Sequence, residues 1–165
     1  MDMEKFTERS RGFLQAAQTI AIREGNQRVV PEHLLKALMD DDQGLAANLI
    51  ARSGGDAQAV RRAVDETVAR LPKVSGGDGQ VYVDTSLVRV MDEAQKIAKQ
   101  AGDSFVPVER VLMALAMVNT RAKDALDAGK VSAQSLNAAI NEIRKGRTAD
   151  SASAEDTFEA LSKYA

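Results

Sequence analysis

The spacing of apolar positions predicts helices from the start of the chain. Leu14, Ala17, Ile20 and Ala21 recur at intervals of three and four between Thr7 and Arg23, which places them on one helix face. Thr7 is a suitable N-cap for that helix, and Gly25-Asn26 a suitable stop. Pro31 suits the first position of a second helix carrying Leu34, Leu35 and Leu38, which closes in Asp40-Asp41-Asp42. A short helix over Leu45 to Ala51 follows. Asp56 caps a fourth, with Val60, Val64 and Val68 inward, and that helix must end before Pro72. Residues 73–83 are glycine-rich and read as a linker or open loop, with Val/Tyr alternation only at Gln80-Val-Tyr-Val83. The helical pattern then restarts with Leu87, Val90, Met91, Ala94 and Ile97.

The restart is a duplication. Ala16-Ala-Gln-Thr-Ile-Ala-Ile-Arg-Glu-Gly25 aligns with Glu93-Ala-Gln-Lys-Ile-Ala-Lys-Gln-Ala-Gly102 at a constant offset of 77 positions. Val29/Val106, Glu32/Glu109, Leu35/Leu112, Ala37/Ala114 and Leu38/Leu115 continue the register. With one residue of slack, Ala57-Gln58 meets Ala133-Gln134 and Ala63 meets Ala139. The pattern predicts an all-α domain over residues 1–145. It has about eight helices, arranged as two four-helix repeats (6–72 and 84–145) about a pseudo-two-fold axis, because each repeat alone has too little core. Residues 146–165 open with small polar residues and read as a flexible linker. Glu155 to Tyr164 then looks like the start of another helix, as if the chain were a piece of something longer.

Composition narrows the function classes. The 165 residues are 44% hydrophobic and 28% charged, with 22 basic against 24 acidic side chains and a net charge of −2. Without a Lys/Arg cluster, nucleic acid and anionic membrane are poor partners, and no apolar run approaches the roughly 20 residues that span a bilayer. Cysteine is absent and His33 is the single histidine, which leaves no thiolate chemistry and little material for a zinc site or a triad. Ser75-Gly-Gly-Asp-Gly79 lacks the following Gly-Lys-Ser/Thr of a phosphate loop. Asp40 to Gly44 imitates a calcium loop, but Ala51 stands where its twelfth-position glutamate belongs. The expectation is a soluble cytoplasmic domain, monomeric, with no catalytic residues and no metal or other cofactor.

The duplicated Ala-Gln-x-Ile-Ala…Gly…Val…Glu…Leu…Ala-Leu pattern resembles the Clp N-terminal repeat of bacterial AAA+ unfoldases, over residues 1 to about 145. Leu71-Pro72, Leu87-Val-Arg-Val90 and the tail Ala154 to Tyr164 are most similar to the ClpB branch, the protein disaggregases. The resemblance implies a substrate-recognition domain that binds exposed apolar segments of unfolded or aggregated polypeptide and passes them to a ring pore. It further implies a homohexameric ATPase parent working with the DnaK system, with ATP and Mg bound only in modules outside this sequence. An adaptor-docking domain, as in the ClpA and ClpC branches, and a regulatory cap over the pore stay open as other readings.

The asymmetry between repeats nominates a site. Positions apolar in both copies read as core, whereas Phe105 stands opposite Arg28, and Arg110 opposite His33. This points to client binding in the second repeat around Val90, Ala94, Ile97, Phe105 and Arg110, although most of the Leu87–Ile97 stripe also fits a core role. The resemblance adds Thr7, Asp103 and Glu109, at positions the ClpB branch uses for chaperone activity. Each has a structural reading too: Thr7 as a helix cap, Asp103 closing the turn after Gly102, Glu109 at the positive end of a helix. Relatives often carry Ser or Thr just before that glutamate, where this chain has Val30-Pro31 and Pro107-Val108, so the caps of these two helices are expected to be missing.

Overall fold

The computed structural model describes residues 2–74, 80–145 and 147–155. Eight α-helices account for most of them: α1 (Glu8–Arg23), α2 (Pro31–Met39), α3 (Leu45–Arg52), α4 (Ala57–Ala69), α5 (Thr85–Gln100), α6 (Val108–Met117), α7 (Arg121–Ala128) and α8 (Ala133–Arg144). The starts follow the capping chemistry of the sequence. Thr7 accepts from the Ser10 N–H, Asp56 from Ala59, Asp84 from Ser86 and Ser132 from Ser135. Gly25 and Gly102, one repeat apart, close α1 and α5 with positive φ of 73° and 82°, where a Cβ would be strained.

The two halves interlock. α1 packs on α2 as α5 packs on α6, and α2 packs on α4 as α6 packs on α8. Across the halves, α4 lies on α7, and in the same way α8 lies on α3. The result is one continuous core in which Leu35, Leu38, Ile50, Leu112, Leu115 and Leu126 are essentially inaccessible. At the crossing, the Asp56 N–H donates to the Gly129 carbonyl at 2.8 Å. A Cβ on Gly129 would lie 2.6 Å from the Asp56 carbonyl oxygen and would also meet Val60 Cγ2. Only glycine allows that approach of backbone to backbone.

Two short extended pairings tie the chain across the same axis. β1 (Arg28–Val29) runs parallel to β2 (Tyr82–Val83), with Val29 opposite Val83. Phe6 bridges Val106, also in parallel. Since Phe6 and Val83 stand one repeat apart, as do Val29 and Val106, these are two copies of one contact. Each joins the lead-in to one repeat's first helix with the turn of the other repeat. The Thr7 N–H donates to the Val106 carbonyl just as that of Asp84 donates to Val29. The all-α pattern did not predict these pairings or the 3-10 turn at Met3–Lys5. Gln80–Val83, read as part of a loop, contributes β2, and the Ser75–Gly79 reading lies outside the described residues.

The polar stretch after α8, expected to be a flexible linker, is laid on the domain over 147–155. Ala149 is buried, its N–H donates to Asp103 Oδ1 at 2.8 Å, and its carbonyl accepts from Ser104 and Phe105. Small side chains and hydrogen-bonding backbone let this segment lie flat where a bulkier one would stand off. The new helix expected toward Tyr164 falls, from Asp156 onward, outside the described residues.

Candidate functional site

Burial corrects the site expected in the second repeat. Val90 and Ala94 are fully buried and Ile97 nearly so, because α5 packs against α6 on one side and reaches α2 of the other half. The stripe serves mainly the core, with its two ends bordering open grooves: Leu87 lines one, and Ile97 lines another of about 420 Å³ with Arg110, Met113 and Met117. Arg110, expected among the client-binding residues, is 3% exposed. Phe105 is half-buried, and its N–H is bonded to the Ala149 carbonyl. Asp103 and Glu109, expected at the rim of the client site, are buried and face inward, and Thr7 is buried as well.

These polar residues form one internal network. Asp103 Oδ2 accepts from Arg110 Nε at 3.2 Å, while Oδ1 accepts from Arg144 Nη1 at 2.8 Å as well as from Ala149. Arg144 Nη2 lies 3.0 Å from Glu109 Oε2, and Arg110 Nη1 donates to Asn137 Oδ1 at 3.0 Å. Burial pushes the Glu109 carboxyl up; Arg144 opposes that shift and nearby Glu155 reinforces it. Thr7 Oγ1 donates to Glu155 Oε2 at 2.7 Å, and the same oxygen accepts from the Val108 N–H at 2.8 Å. Glu155 thereby caps α6, whose own N-cap, Pro107, has no side chain to do so. Arg144, Asn137 and Glu155 escaped sequence reasoning, because nothing in their spacing marks a partner so distant along the chain.

In the first repeat the equivalent pair is neutral. Val30 N–H donates to His33 Nδ1 at 3.0 Å, so the ring proton resides on Nε2, which donates to Asn26 Oδ1 at 2.8 Å. His33 thus satisfies the Val30 N–H, while Val30 itself offers no side-chain cap to α2. Burial disfavours the charged ring and pushes its pKa down from 6.5 to about 4, against a weaker pull from Glu24. The sign follows directly: His33 contributes stability fully above pH 6.5, lost as pH falls toward 4 because the unfolded chain protonates first. Unfolding titrated from pH 7 to pH 4 should show His33→Gln losing about 2–3 kcal/mol less than the parent over that window. Parallel curves for the two proteins would contradict the assignment.

A groove of about 380 Å³ lies between α1 and the start of α5. Leu14, Val29 and Leu87 form its floor, Met3 and Val83 its walls, and Arg11, Gln15 and Gln18 its polar edge. Val83 and the adjacent Tyr82 are 38% and 49% exposed. Arg11 Nε is buried and lacks a hydrogen-bond acceptor among the described residues. The twin positions one repeat away hold Phe6 for Val83 and Met91 for Leu14, both fully buried, and the larger Phe6 fills there what Val83 leaves open here. The alternation at Gln80–Val83 was the one sequence signal for this place. Among the described residues no group of three or more His, Cys, Asp or Glu side chains could hold a metal, and no helix is long and apolar enough to cross a membrane.

Comparison with known proteins agrees with this architecture. The chaperone protein ClpB of Rhodopseudomonas palustris is 53% identical over 167 residues, covering 100% of this chain and 19% of that protein. ClpB of Rhizobium meliloti is 54% identical over 166 residues, with the same coverage. The chain thus spans about a fifth of the length of these curated relatives. The crystal structure of the Hsp104 N-terminal domain from Candida albicans superposes with a TM-score of 0.80 at 22% identity, over 91% of this chain and 98% of that one. A family model described as the Clp repeat (R) N-terminal domain matches residues 5–129. With its duplicated helices interlocked about a pseudo-two-fold axis, the chain belongs to the Clp repeat N-terminal domain family.

Proposed function

We propose that this domain recruits exposed apolar segments of unfolded or aggregated polypeptide for a ClpB-type chaperone, and that the groove between α1 and α5 receives them. The observation that carries the reading is an apolar floor edged by Tyr82 and Val83, beside an Arg11 Nε–H without an acceptor among the described residues. A client's side chain would cover the floor, and one of its backbone carbonyls would satisfy Arg11. In parallel pairing alternate residues face alternate edges, so the Val83 N–H and C=O point away from β1 and an extended client could add a strand there. In this reading the domain is monomeric and uses no nucleotide or metal. The hexameric ring, its ATP chemistry and the DnaK system belong to the rest of such a protein.

An NMR titration with an unfolded apolar client tests this. Shifts should centre on Leu14, Val29, Val83 and Leu87. Val83→Thr keeps the branched shape and strand preference but replaces a half-exposed methyl with a hydroxyl. It should weaken binding roughly three- to fivefold, equivalent to about 1 kcal/mol, and alter stability by less than that. Shifts confined to the turn around Phe105 would move the site. Saturable micromolar binding of one folded partner, indifferent to Val83→Thr, would favour adaptor docking instead.

A further inference from the structure

We propose that residues 147–155 are a releasable strap, and that Thr7, Asp103 and Glu155 are positioning residues that latch it to the domain. The strap is held at three places. Asp103 Oδ1 takes the Ala149 N–H, and the Ala149 carbonyl takes Ser104 and Phe105. The Ala152 carbonyl takes the Glu8 N–H at the start of α1. Glu155 takes both the Thr7 hydroxyl and the Val108 N–H. Between these points the strap has no large side chain to anchor it, and Asp150, Ser151 and Ser153 are exposed. Its attachment therefore rests on polar contacts at Ala149, Ala152 and Glu155, which water can replace when it lifts.

The first repeat shows a simpler hold on its exit segment. Pro72 stands one repeat before Ala149 and also follows its repeat's last helix. Its carbonyl accepts from Asn26 Nδ2 at 3.1 Å, and Asn26 is the twin of Asp103. Both repeats thus use the same residue, just after the helix-ending glycine, to hold their exit segment. In the first repeat that hold is a neutral amide, beside a histidine, on a segment that leads on into the second half. In the second repeat it is a carboxylate set between Arg110 and Arg144, with Glu155 and Thr7 added as a second clasp. The clasp has no counterpart at Asp84, the twin of Thr7, which instead bonds Ser86. Docked, the strap fixes the point where the chain leaves the domain, beside the N-terminus of α1. Released, its nine residues add about 30 Å of extended reach to whatever follows.

Hydrogen exchange on the 165-residue chain tests the latch. Glu155→Ala removes the shared acceptor, and Ala149→Pro removes the donor to Asp103 while leaving every charge in place. Both should speed exchange at Ser104, Phe105, Val108 and the strap amides by roughly tenfold or more, while Leu35 and Leu112 in the core stay protected. Thr7→Ala should do the same and Thr7→Ser should restore the parent pattern, since only the hydroxyl is needed. Acceleration of all amides together with a lowered melting temperature would show the strap to be an inseparable part of the fold. Unchanged exchange in Glu155→Ala and Ala149→Pro would remove the latch altogether. Either result overturns the proposal.

Discussion

Asp103→Ala should destabilise the domain by about 3–5 kcal/mol, the range found when one member of a buried ion pair is removed. The side chain of Asp103 is inaccessible and serves Arg110, Arg144 and the Ala149 N–H together. Without it two buried guanidinium groups face each other, with Glu109 left as the carboxylate paired to Arg144. Burial and the Arg144 charge pull the Arg110 pKa down against Asp103 and Glu109, so loss of Asp103 leaves a buried guanidinium short of compensating charge. Surface pairs such as Lys73–Glu24 provide the contrast, since exposed pairs contribute about 0–1 kcal/mol. A domain of ordinary stability, about 5–15 kcal/mol, would lose a large share of it. Chemical denaturation of the variant measures the loss, and a change below about 1 kcal/mol would show that water or rearrangement compensates the arginines.

Cutting the chain at Gly77 should abolish cooperative folding of both pieces. Each would keep its own α1–α2 or α5–α6 contact but lose the helix its partner supplies, α7 beneath α4 or α3 beneath α8. Both twin extended pairings run between the pieces and would be lost, leaving the lead-ins at Phe6 and Val83 without backbone partners. Pieces of about 80 residues that bury only part of their apolar surface have little margin. Separate pieces should therefore show broad, weak thermal transitions, and mixing them should restore one sharp melt. Two independent cooperative melts would mean that the halves are separate domains.

The reading of site residues went astray for an identifiable reason. Periodicity shows that Val90, Ala94 and Ile97 share a face, but what covers the face depends on α6 and on the other half. Arginine is ordinarily a surface residue, and Arg110 was expected within the client site because it stands opposite His33. It is buried because a turn seven residues earlier presents Asp103, and α8 brings Asn137 from much further along the chain. The strap was misread as a loose linker because Ala149 and Ala152 bind through backbone atoms, and every residue type carries those.

Local chemistry determined the helices. Cap residues, glycines with positive φ and apolar spacing act within a few positions, so they are written in the order in which they operate. The 77-residue repeat likewise determined that there are two equivalent halves. Only the tertiary structure decided how those halves interlock, which polar residues are drawn inside, and which apolar site stays open. Those outcomes depend on volume and charge brought together from distant positions: Phe6 fills the space that Val83 leaves, and Asp103 neutralises two arginines whose approach no local pattern records.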